Sequence, residues 1–211
     1  MNLQTNSVIA AEALVRWRLE DGTYLPPSSF VDIFEKNRFC SKLDFYMLKK
    51  AIQQIRKWID MGMEPVNISV NQSKIVFYHE NYISELKSLL EEYNVSGSYI
   101  TLEVLESTVI EDIDMFNSIL TEVKKLGFSV SLDDFGSGYS SLNVLSKLQI
   151  DELKIDCIFL HTKSEVDNQR TKWILESIID IAKKSQILVV VEGVESKQDD
   201  LFIKGLGADV G

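Results

Sequence analysis

Residues 128 to 142 read FSVSLDDFGSGYSSL, a segment of alternating apolar and small polar residues that ends on two adjacent aspartates, Asp133 and Asp134. Neighbouring carboxylates repel, and each raises the other's pKa unless a cation holds both. Polar residues of the same kind fall at the ends of other short apolar segments: Glu12, Asn67, Glu103, Lys154 with Asp156, and Glu192. Burying so many like charges without compensation costs several kcal/mol per ion, so a shared divalent cation is the expected partner. The chain has only two histidines, His79 and His161, and two distant cysteines, Cys40 and Cys157. A metal site must therefore be built from oxygen ligands, which favours hard ions such as Mg²⁺ or Mn²⁺.

Hydrophobic periodicity supplies the elements that would position these groups. Period-two apolar runs predict strands at 8–14, 66–70, 99–104, 128–132, 153–156 and 188–191, with a final stub at 208–210. Helical spacing predicts helices at 30–36, 43–59, 82–93, 110–126, 139–147, 168–184 and 198–206. Such alternation implies a parallel sheet with right-handed crossovers. Within the strands the parity is consistent: Asn67, Ser69 and Asn71 share one face, as do Ser129, Ser131 and Asp133, and Glu152, Lys154 and Asp156, while the opposite faces are aliphatic. The expected fold class is α/β, a (β/α)8 TIM-like barrel. In a barrel all strand C-termini converge on one rim, where active sites sit. The barrel is expected to be incomplete, short by one strand and its partner helix, because such folds typically need about 250 residues.

Composition narrows the classes further. With 211 residues, 45% hydrophobic and 26% charged, the chain suits one globular domain. A formal charge of −10 argues against DNA, RNA or an anionic membrane surface as partner. No signal peptide or membrane-length apolar run is evident, so a cytoplasmic location is expected, including as the cytoplasmic part of a larger membrane-anchored protein. Trp17, Trp58 and Trp173 lie in apolar-periodic stretches and are expected to be core or packing residues. His79 and His161 are expected in surface loops, and Cys40 and Cys157 as buried free thiols.

The string EALVRW at residues 12 to 17 resembles the name-giving motif of the EAL-domain family, bacterial phosphodiesterases of cyclic di-GMP. VNISVNQS, LEVLES, DDFGSGYSSL, ELKID and VEGVE follow in the family's order, so the resemblance covers essentially the whole chain as a single EAL-type domain, residues 1–211. The resemblance implies hydrolysis of cyclic di-GMP to linear pGpG with two Mg²⁺ or Mn²⁺ ions per site. It implies Glu12, Asn67, Glu103, Asp133, Asp134 and Glu192 as metal ligands, and Lys154, Asp156 and Glu192 as the residues that handle the catalytic water. Leu14 and Arg16 match substrate contacts, while Glu106 and Glu195 match carboxylates that anchor the loop 135–141 and support the site. A homodimer is the family's habit. The family's leading Tyr-Gln-Pro strand and trailing Gln-Gly pair fall outside the chain, so it is expected to be a fragment of a larger regulatory protein. Two other readings stay open from the residues: a non-catalytic EAL module that binds cyclic di-GMP or a protein, and an enolase-like metal lyase.

Overall fold

The computed structural model describes residues 1, 3, 5, 7–109, 113–136, 142–156, 165–194 and 197–210. The chain groups into two compact units, one of Ala10–Val104 with Thr121–Ser129, the other of Met1–Ile9, Leu105–Leu120 and Val130–Gly211. They are called here the Glu12 unit and the Lys154 unit.

In the Glu12 unit, β1 (Ala10–Glu12), β4 (Asn67–Gln72) and β5 (Ile100–Leu105) pair in parallel in that order. Ile100, Leu102 and Val104 are buried on one face of β5, and Thr101 and Glu103 are buried on the other. This is the alternation that sequence parity predicts, with the polar face enclosed as well. Helix α2 (Cys40–Asp60) supports the sheet with a stripe of Leu48, Ala51, Ile52 and Ile55, spaced at helical intervals and almost fully buried. Helix α4 (Tyr82–Tyr93) ends where Asn94 adopts a left-handed conformation (φ 49°) and the Val95 N–H donates back to Leu90 O at 3.1 Å, a Schellman closure. Gly97 cannot be replaced cheaply, because a Cβ there would stand 2.4 Å from the Leu126 carbonyl oxygen.

In the Lys154 unit, β6 (Ser129–Phe135, all but its first residue), β7 (Glu152–Asp156) and β8 (Leu188–Glu192) pair in parallel, with the long helix α8 (Glu165–Lys184) and α9 (Lys197–Leu206) beside β8 in sequence. Two aspartates act at the strands' starting ends. Asp151 accepts the Val130 N–H at 2.9 Å, and Asp209 accepts the Val189 N–H at 3.2 Å, so both carboxylates close backbone donors.

The six principal strands thus form where periodicity predicts them, with ends shifted by one to three residues. Residues 208–210 contribute only the single bridge Val190–Val210, not a strand. An additional antiparallel pair, β2 (Trp17–Arg18) with β3 (Tyr24–Leu25), turns at Asp21-Gly22, where Gly22 has φ 86°. That Asp-Gly step is a recognised hairpin signal, but two-residue strands are too short to register as alternation. Trp17 is 45% exposed and packs its ring edge-on or tilted against Phe30 and Phe34, a packing rather than a core role, and Trp173 is 58% exposed. Cys40 is a buried free thiol whose pKa burial pushes up to about 11. Cys157, His161 and residues 139–141 of one expected helix lie outside the described residues. Among the described residues no helix is long and apolar enough to cross a membrane.

Candidate active site

In the Glu12 unit the polar strand ends come together. Glu12, the last residue of β1, accepts a hydrogen bond on Oε1 from Asn71 Nδ2 at 2.9 Å. Asn71 is the register partner of Glu103 on β5, and Glu103 is only 1% exposed. With Nδ2 turned to Glu12, Asn71 Oδ1 is the atom able to meet a cation. Asn67, the asparagine expected here, is elsewhere: its Oδ1 accepts from Thr101 Oγ1 at 2.9 Å and its Nδ2 donates to Ser98 O at 3.3 Å. It opens β4, and four residues of strand, about 13 Å, separate it from Asn71. The two asparagines have the same parity, so only the true end of the strand decides between them. Leu14 is exposed in the segment after β1, and the Arg16 guanidinium donates to Val15 O at 2.8 Å.

In the Lys154 unit the centre is an ammonium. Lys154 is 5% exposed, and its Nζ lies 2.6 Å from Glu192 Oε1 and 3.6 Å from Asp133 Oδ1. Asp156 and Glu192 are register partners on β7 and β8. The placement of Asp133 and Asp134 breaks strand parity. Leu132 pairs with Leu153 and Phe135 with Ile155, so three steps of β6 run against two of β7, and Asp134 takes a left-handed φ of 55°. This is a β-bulge. Regular pleating would send the two carboxyls to opposite faces, and the extra residue relieves that constraint. The Asp134 carboxyl is held above its ordinary pKa, first by burial and then by Asp133 and Asp156, with Lys154 opposing.

Glu106, buried at the start of helix α5 (Glu106–Val109), accepts the Gly136 N–H at 3.5 Å, where Gly136 has φ 98°. Its expected hold on the loop therefore begins at the loop's first turn. Glu195 and residues 137–141 lie outside the described residues. Sequence reasoning overlooked Glu152. It shares the face of Lys154, and burial raises its carboxyl pKa against the field of Lys154. Its parity was the available signal.

Among the described residues no group of three or more His, Cys, Asp or Glu side chains stands close enough to cage an ion unaided. The donor chemistry nevertheless fits a hard divalent cation: carboxylates and an amide oxygen, all from strand ends.

The sequence matches the model of the EAL domain over residues 1–211. The chain belongs to the EAL domain family. It is 32% identical over 202 residues to the bifunctional diguanylate cyclase/cyclic di-GMP phosphodiesterase MucR of Pseudomonas aeruginosa, covering 96% of this chain and 29% of that protein. It is also 32% identical over 197 residues to the cyclic di-GMP phosphodiesterase PdeR of Escherichia coli, covering 93% of this chain and 29% of the relative. This EAL chain thus spans under a third of the length of these relatives. Among solved structures it resembles the PaMucR phosphodiesterase in complex with c-di-GMP, at a TM-score of 0.87 and 32% identity, covering 97% of this chain and 82% of that one. The FimX EAL domain from Pseudomonas aeruginosa bound to c-di-GMP shares the fold at a TM-score of 0.88 with 18% identity, covering 100% of this chain and 84% of that one. The fold class is α/β, of the (β/α)8 kind, and incomplete.

Proposed function

We propose that this EAL domain is a metal-dependent phosphodiesterase that opens cyclic di-GMP to linear pGpG. The observation that carries the reading is Lys154, enclosed and paired to Glu192 and Asp133 at strand ends, in a chain that also fills the family's remaining acid positions. Glu12, Asn71, Glu103, Asp133, Asp134 and Glu192 would hold two Mg²⁺ or Mn²⁺ ions, with Asn71 in the place expected for Asn67. When bound, the ions supply Lewis acidity that offsets charge on the phosphate oxygens and brings a water's pKa toward neutrality.

The chain's own groups do the rest. Glu192, held by the Lys154 ammonium, accepts the proton of the attacking water. Lys154 donates to the phosphate oxygen on which charge grows. Asp156 orients the water. A P–O bond forms to the water oxygen as the P–O3′ bond of one phosphodiester breaks, and the proton taken up by Glu192 is passed to the 3′-oxygen, which leaves as a hydroxyl. Leu14 and Arg16 contact guanine and phosphate, and Glu106 and Glu195 restrain the loop 135–141. A homodimer in the cytoplasm is the setting we propose.

Incubation with cyclic di-GMP and Mg²⁺ or Mn²⁺, followed by chromatography, is expected to yield pGpG, with Ca²⁺ inhibiting because it accepts looser coordination. No linear product with either ion rejects the enzyme reading. Binding of cyclic di-GMP without turnover would leave a non-catalytic EAL module in its place.

A further inference from the structure

In the Glu12 unit, the backbone around Asn71 emerges from the sheet just where it must hold a side chain in place. The Ser69 carbonyl takes the last bond from the β1 side, from Ala13 N at 2.8 Å. Two residues on, the Asn71 carbonyl faces the same side, past the last paired residue of β1, which is Glu12 opposite Ser69. A buried amide takes over there: Gln72 Nε2 donates to Asn71 O at 2.9 Å. Gln72 is in turn fixed by Tyr82, whose hydroxyl donates to Gln72 Oε1 at 3.0 Å. The Tyr82 ring is wedged edge-on against Phe77, with centroids 5.2 Å apart, and against Phe45 at 6.0 Å. Burial keeps its hydroxyl protonated well above the ordinary phenol range, so it remains a donor.

The next residue is clamped separately. Asp44 of α2 accepts both the N–H and the hydroxyl of Ser73 on one oxygen, Oδ2. Ser73 sits at the N-cap of helix α3 (Lys74–Phe77), yet its hydroxyl is turned to Asp44 and makes no capping bond. Gln72, Tyr82 and Asp44 are all buried. Buried polar groups in complete hydrogen bonds fix one conformation at the cost of desolvation. Here they fix the two successive peptides that follow the Asn71 side chain.

We propose that Tyr82, Gln72 and Asp44 are positioning residues for the Glu12–Asn71 pair, acting on it through the main chain of residues 71 to 73. The inference rests on that pair serving the reaction proposed above. Groups behind metal ligands typically change affinity by about 10- to 100-fold when removed.

The test compares Tyr82→Phe and Gln72→Met with Ile55→Ala, a cavity in α2 that weakens the core without touching these bonds. The first readout needs no metal. The Asn71 side-chain amide resonances, assigned by their loss in Asn71→Asp, are expected to shift and broaden in both network variants and to stay in place in Ile55→Ala. The second is free Mn²⁺ followed by electron paramagnetic resonance, with affinity expected to fall about tenfold in the network variants and to hold within about twofold in the cavity variant. Asn71 resonances that stay put in both network variants, or move equally in Ile55→Ala, overturn the inference. Resonances that move as expected in a protein that takes up no Mn²⁺ or makes no pGpG support the inference and sink the phosphodiesterase reading alone.

Discussion

Strands β4 and β6 both end in candidate site residues, and they hold them by opposite means. The end of β4 is held by hydrogen bonds, only the last of which meets a carboxylate: Tyr82 to Gln72, Gln72 to the Asn71 carbonyl, Asn71 to Glu12. The end of β6 is held by charge and by strain, with Lys154 against Asp133 and a left-handed Asp134 in a bulge. Hydrogen bonds between neutral groups depend little on salt or pH, so on this side only carboxylates such as Asp44 respond to pH. Charge clusters of the second kind answer to every ion nearby. One strand end therefore sets geometry, while the other sets the field.

The largest expected effect comes from removing the ammonium. Lys154→Met leaves Asp133 and Glu192 facing each other, and breaking a fully buried pair costs about 3–5 kcal/mol. Glu192 keeps 39% side-chain exposure, so solvent screening reduces the expected loss to about 2 kcal/mol. Turnover is expected to fall further, by about 10²- to 10³-fold, as for other groups that meet developing charge. Urea titration and product chromatography on the same preparation would separate the two losses.

On the β4 side, pH is the probe. Burial raises the Asp44 pKa from 3.8 to about 6 despite the opposing bonds from Ser73. The folded state thus binds this proton more tightly than the unfolded chain. The contribution of Asp44 to stability is greatest below about pH 4, falls as pH rises to about 6, and is flat above, with a total change of up to about 3 kcal/mol. Asp44→Asn removes that slope, so the stability difference between wild type and variant, from urea unfolding at pH 4.5 and pH 7.5, should change in this direction. A constant difference would place the titration elsewhere.

A smaller effect tests the bulge. Asp134→Gly relieves a left-handed φ and removes a repelled carboxylate, so it should stabilise the fold by about 1 kcal/mol while abolishing turnover, if strain is stored for function. A loss of stability would mean that the Asp134 side chain is structural. Smallest of all is the exposed pair Lys87–Glu91, 3.8 Å apart on α4, where Lys87→Ala should change stability by less than about 0.5 kcal/mol by thermal melting. This is the baseline against which the buried charges are read.

The same contrast explains what the sequence made legible. Alternation located the six parallel strands and the polar face of each, because pleating is local and its period is fixed. It could not choose between Asn67 and Asn71, which share a parity: β4 runs on to Gln72, beyond the expected end at residue 70, and the end decides which asparagine faces Glu12. Nor could it foresee that Asp133 and Asp134 escape strict alternation, since the bulge is set by pairing with β7. Lys154 was legible as a polar residue near a strand end, but its contact with Glu192 depends on the register of β7 against β8, which no periodicity encodes.

Asp151 and Asp209 carry one more consequence. Each already spends its carboxylate on a main-chain donor at the start of a neighbouring strand, while Asp133, Asp156 and Glu192 lie toward the other tips of β6, β7 and β8. Durability and reactivity are thereby written at opposite poles of the same three strands. An engineer could redesign the other pole and leave untouched the aspartates that keep the strands aligned.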